Sequence, residues 1–248
     1  MPGRRTAEVP GRGPAGTPGG GSVGVAGQLA QLLRPVVRAM PWRALGAGAV
    51  AGLVLAALPR VASSDPNPWT ALLLLRGAAL AFALGLTFLL DDPARQVTVA
   101  VPTRRMVRGA LRTALVAPLA VLWWTAAVLL IPAKVRPPVG DITLEAAAAA
   151  VVALAASAAA VRLTDEPEPG QRVAIALLAA SMAAALFLPS SWGLFATPGA
   201  KNWAPGHDHW AMILAVAALT WAASGPEPIR RRHLFPTRRP TRSGLSGA

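Results

Sequence analysis

The sequence predicts an all-α, polytopic membrane helix bundle of about six transmembrane helices, with both ends on the cytoplasmic side. Three observations lead there. Hydrophobic residues make up 54% of the 248-residue chain and charged residues only 14%, where soluble domains carry about 25% charged residues. The apolar residues gather in blocks of about 20, the helix length that crosses a hydrocarbon core about 30 Å thick. The basic residues fall between the blocks with a bias to one side, as retention of positive charge in the cytoplasm requires.

Residues 1–27 are rich in Gly, Pro, Arg and Thr without apolar periodicity, and read as a disordered cytoplasmic tail. Arg4 and Arg5 begin no export peptide, because no apolar core follows at the right distance. Over 28–42, Leu29, Leu32, Leu33, Val36, Val37 and Met40 recur at helical spacing with Gln31, Arg34 and Arg38 opposite. That pattern predicts an amphipathic interfacial helix interrupted by Pro35; an ordinary lead-in to the first span is the alternative. A transmembrane domain over 43–226 then holds spans at about 44–60, 69–90, 113–131, 143–163, 173–189 and 208–225. Residues 227–248 form a basic, disordered cytoplasmic tail.

Six spans with both ends inside put 19 basic side chains in cytoplasmic segments against 4 outside, namely Arg60, Lys134, Arg136 and Lys201. Removing one span would carry the C-terminal arginines across and spoil the split. Trp69, Trp203 and Trp210 sit at expected outer boundaries and Trp42 at an inner one, where amphipathic rings favour the headgroup zone. Trp123 and Trp124 fall mid-span and read as packing residues. The net charge of +13 lies beside hydrophobic spans rather than on a soluble face, so no nucleic-acid partner is expected. There is no cysteine, hence no disulfide or thiolate chemistry.

No GxxxxGK[ST] pattern occurs, so no P-loop is expected in this chain. Gly46, Gly48 and Gly52 loosely match a dinucleotide fingerprint, but they lie inside a span with no strand before them. Gly48 and Gly52 read instead as a GxxxG pair that lets two membrane helices approach closely. The alanines at 146–150, 155, 156 and 158–160 predict a fourth span packed inside the bundle. Arg76 is the one clear charge within a span, about 10 Å below the outer boundary at 1.5 Å per residue. It is expected to face a cavity or a carboxylate, with Asp141, Glu145 and Asp208 near the same side, unless it snorkels to the headgroups.

Asp91-Asp92-Pro93-Ala94-Arg95 ends the second span. Asp92 suits an N-cap and Pro93 the first helical position, which predicts a short cytoplasmic helix to Val101, stopped by Pro102, with Thr103 capping the next helix. A Mg²⁺ and lipid-diphosphate reading of this carboxylate pair fails, since the next carboxylate, Asp141, is expected on the opposite side. His207-Asp208-His209 has metal-ligand residue types without a third strong ligand nearby, so the start of a helix is the favoured reading. No catalytic, cofactor-binding or metal residues are assigned.

The order of parts resembles the membrane subunits of ABC-2-type transporters, particularly small permease-like proteins of actinobacteria. The features that look similar are the Asp91-Asp92-Pro93-Ala94 turn, Arg104, Arg105 and Arg108, and the loop from Trp203 to Trp210. The resemblance implies an amphipathic cytoplasmic helix at 29–40, a coupling helix at 93–101 that touches a separate ATPase, and a large last outer loop at 190–207. It implies a permease subunit of an ABC-type exporter in a bacterial plasma membrane, paired as a homo- or hetero-dimer. Asp91, Asp92, Arg95, Arg104 and Arg105 are then the candidate coupling segment and Arg76 the candidate pathway residue, with Pro118 as a site of bending. The Ala, Gly, Pro and Arg bias fits a high-GC bacterium. Two other readings stay open: a structural or regulatory multi-pass protein with no pathway, and a membrane-embedded lipid enzyme. The last is disfavoured by the lack of converging His and acidic residues on the cytoplasmic side.

Overall fold

In a computed structural model of the protein, the described residues are 37–62, 65–91, 105–164 and 168–224, with side chains of the third helix described from 109 onward. Residues 39–248 form one compact unit; of the preceding unit, 1–38, only Val37 and Arg38 are described. Among the described residues there are six long helices: α1 (Trp42–Val61), α2 (Pro68–Leu86), α3 (Arg105–Leu130), α4 (Val139–Leu163), α5 (Gly170–Phe187) and α6 (Trp203–Ser224). Short 3-10 turns at Ala133–Val135 and Ser190–Trp192 interrupt two of the connections, and no strand occurs among the described residues.

Five of the helices, α1 to α5, are long and apolar enough to cross a membrane. The sixth helix exists, with 22 residues, but falls short in hydropathy. Its first turns contain Gly206, His207, Asp208 and His209, which leaves an apolar stretch from Trp210 to Ala223. At 1.5 Å per residue that stretch is about 21 Å long, against about 30 Å of hydrocarbon.

The helices alternate in direction. The start of α1 meets the end of α2, where a Cβ on Gly85 would lie 3.1 Å from the Ala44 carbonyl oxygen. Arg60 at the end of α1 reaches the end of α3. Glu145 near the start of α4 meets Arg76 in α2 and His207 near the start of α6, while Arg162 near the end of α4 meets Ala223 at the end of α6. Helices α2, α4 and α6 therefore run parallel, opposite to α1, α3 and α5. The start of α1 and the end of α6 lie at the same end of the bundle.

Close packing of α1 on α2 is glycine-dependent. A Cβ on Gly48 would lie 2.6 Å from the Ala81 carbonyl oxygen, and one on Gly52 would lie 2.9 Å from that of Ala78 and 2.5 Å from the Trp123 ring. The GxxxG reading holds: bare backbone on α1 meets small residues on α2. Trp123 of α3 closes the contact, stacking on Phe82 at 4.3 Å and donating its indole N–H to the Ala49 carbonyl at 2.9 Å. The other pair is α4 with α6; α2 joins the two pairs through α4, and α5 lies lightly on α4 and α2. Alanine-rich α4 buries Ala148, Ala153, Ala155 and Ser157 in these contacts.

Helix ends are satisfied by side chains of other helices. Arg60 donates to the Leu130 and Leu129 carbonyls at 3.1 and 3.0 Å, which have no partner within α3. Arg112, itself buried, donates to the Leu89 and Asp91 carbonyls at 3.2 and 2.9 Å beyond α2. Arg162 donates to the Ala223 carbonyl at 2.5 Å, and Ser157 to that of Thr87 at 2.9 Å. Asn67 caps the start of α2, accepting from the Trp69 N–H at 2.8 Å, with Pro68 at the first helical position.

Gly46, two residues before Gly48, has nothing within 4 Å of an added Cβ. Gly48→Ala must therefore push α1 off α2 and cost about 1–3 kcal/mol, whereas Gly46→Ala should be neutral or stabilising by up to about 1 kcal/mol. Thermal melts of the two variants in detergent check this, and equal melting temperatures would refute the close approach.

Candidate functional site: an ionic cluster across three helices

The second turn of α4 carries Glu145, followed by alanines from 146 to 150. Its carboxylate is 4% exposed and takes a two-pronged contact from Arg76 of α2: Nε to Oε2 at 2.6 Å and Nη2 to Oε1 at 2.7 Å. Arg76 is 12% exposed and its Nη2 also donates to the Ala196 carbonyl at 3.3 Å, in the segment between α5 and α6. His207 of α6 completes the cluster, with Nε2 3.2 Å from Glu145 Oε1. That distance is within ion-pair range, but the alignment is not that of a hydrogen bond, and Nε2 has no hydrogen-bond partner.

Geometry around His207 is set by its own helix. Its Nδ1 lies 2.8 Å from the Trp203 carbonyl oxygen, four residues earlier. The Trp203 indole packs against the imidazole at 4.4 Å and donates to Asp141 Oδ2 at 2.7 Å, so Asp141 and Glu145, one turn apart on α4, both face the start of α6. The 188–202 segment covers this end. Gly193, at φ 66°, abuts Gly206 so closely that neither position admits a Cβ. Asn202 donates to the Ser190 carbonyl at 2.6 Å and Trp210 to that of Leu194 at 3.1 Å. Trp192 stacks on His209 at 5.4 Å.

Arg76 thus faces a carboxylate as expected, and of the three candidates the structure selects Glu145. Two expectations are corrected. Arg76 is not alone within the helices, because Glu145 is buried two turns into α4. The segment 190–207 is not all loop: α6 begins at Trp203, a turn before His207-Asp208-His209, where the sequence favoured the start of a helix. His207 meets Glu145 and His209 stacks on Trp192, while Asp208 is exposed. Among the described residues no three His or acidic side chains converge as metal ligands. The nearest signal for the cluster was a lone glutamate beginning an alanine run.

At the other end, Asp91 accepts from the Gly170 N–H at 2.9 Å, and a Cβ on Gly170 would lie 2.5 Å from its Oδ2. A carboxylate there complements the positive end of α5. Asp92, Arg95 and Arg104 lie outside the described residues, with the expected helix at 93–101. Arg105 is the first residue of α3, which begins well before the expected 113, and its side chain lies outside the described set. A shallow apolar groove of about 410 Å³ runs between α4 and α6, lined by Val152, Ala155, Ala156, Met212, Ile213 and Val216.

Breaking a buried ion pair leaves an uncompensated charge, at a cost of about 3–5 kcal/mol. Arg76→Leu and Glu145→Leu should each lose stability of that order, and the double variant should lose less than the sum. A double-mutant cycle by denaturant unfolding checks this; additive losses would show the pair to be uncoupled. Compared with family models, curated proteins and solved structures, the chain matches none.

Proposed function

We propose that the chain crosses the bilayer six times, both ends cytoplasmic, and serves as the permease subunit of an ABC-type exporter, dimeric and driven by a separate ATPase. The observation that carries this reading is the Arg76–Glu145–His207 cluster, which joins three helices inside the apolar bundle. Ionisable residues at such depth are costly and mark pathways or partnered sites by default. Two further observations support the topology. Helix α6 lies parallel beside α4 from Asp141–Trp203 to Arg162–Ala223, so it shares the depth of a helix long enough to span. In its first turns His207 faces Glu145 and His209 stacks on Trp192. Arg43, Arg112, Arg162 and Arg172 lie at the end of the bundle that the charge distribution of the whole sequence favours as cytoplasmic, which supports that orientation.

A second reading is favoured by the closed geometry of the ion pair. Both prongs of Arg76 are engaged, as in a structural cross-link within a non-transporting membrane protein. Partner capture separates the two. Full-length protein purified in mild detergent should retain a P-loop ATPase whose hydrolysis it stimulates, and Asp92→Ala/Arg95→Ala should lose that partner. Purification without any ATPase, wild type and variant alike, favours the cross-link. A reporter fused after Ala248 should be active only in its cytoplasmic form; an exported signal would overturn the six-span topology.

A further inference from the structure

The imidazole of His207 is held in one tautomer. The Trp203 carbonyl only accepts, so Nδ1, 2.8 Å away, carries a hydrogen. In the neutral ring Nε2 is then a bare lone pair, buried and 3.2 Å from a carboxylate oxygen. That nitrogen has no donor to accept from, and the nearby carboxylate charge favours a cationic ring. One proton on Nε2 converts the contact to an attraction. Glu145 has room for it, because a carboxylate offers about four lone-pair sites and Arg76 uses one on each oxygen.

Charge balance points the same way. Arg76 comes from α2, and Asp141 and Glu145 come from α4, both facing the start of α6. On α6 itself Asp208 is exposed and His209 stacks on Trp192; Lys201 is exposed in the covering segment. One guanidinium against two carboxylates leaves the cluster one negative charge in excess. A proton on His207 cancels it, and a balanced cluster is the one a low-dielectric interior favours.

We propose that His207 and Glu145 form a proton-binding site that ties the start of α6, with its covering segment, to α4. Imidazole takes one proton from water and becomes imidazolium; no other bond changes. The proton's loss removes that attraction and loosens residues 193–207, which hang on α6 through Gly193–Gly206 and Trp210–Leu194. This rests on the same cluster as the permease reading but needs neither ATPase nor substrate, so partner capture can fail while titration succeeds, and the reverse.

The test uses the full-length chain in lipid nanodiscs. Backbone amide exchange is followed at about pH 5.5 and about pH 8.5, and corrected for intrinsic rates. Amides in 193–207 should exchange about tenfold faster at the higher pH, while those of α1 and α2 do not change. His207→Gln should remove the difference. Independently of any variant, ¹⁵N-imidazole signals of the wild type, assigned among His207, His209 and His233, should show His207 Nε2 gaining a proton on the acid side. Equal exchange at the two pH values, a pH difference that survives His207→Gln, or a His207 signal that does not move would each overturn the proposal.

Discussion

Hydrocarbon supplies no hydrogen bonds, and the architecture follows from that constraint. Each helix leaves carbonyls at its end without intrahelical partners. Within hydrocarbon such groups are costly, and at the bundle's ends they take a donor from water or from a side chain. Arginines on neighbouring helices answer them: Arg60 for α3, Arg112 for the turn after α2, and Arg162 for α6. A guanidinium suits this task because it offers five donors in a flat fork and stays charged. These contacts also hold the register of each helix against its neighbour. The arginine bias that reads as topology in the sequence is thus also part of the packing.

The two halves of the bundle adhere by different means. Helices α1 and α2 touch backbone to backbone through glycine and alanine, with the Trp123 indole laid over the seam. Helices α4 and α6 pair over their length, and at the covered end a charge cluster with three indoles replaces the small-residue contact. Small residues give proximity without direction. Ionic and indole hydrogen bonds give direction, which keeps a polar helix start in one orientation.

Much of this was legible in the sequence. The apolar blocks gave the helices to within a few residues for α1, α4 and α5, because a 20-residue run has few alternatives. The Gly48–Gly52 spacing gave the tight contact, and depth gave Arg76 a carboxylate among three named. The sequence favoured a helix start at His207-Asp208-His209, but α6 begins a turn earlier, at Trp203, a residue read as a boundary marker. Glu145 was underrated, since an acid at a helix start ordinarily faces water. Helix α3 extends back to Arg105 because arginine is a good helix former, although it ends an apolar block.

Helix α5 buries only Gly170 and Val173, both in its first turn, where Asp91 grips the Gly170 amide. Ile175, Leu178, Met182, Leu186 and Phe187 along its length are exposed. It is moored like a mast at the foot, with little rigging above. Its tilt is then governed by the thickness of the surrounding membrane more than by the protein, and a small polar residue at its base decides where that mast stands.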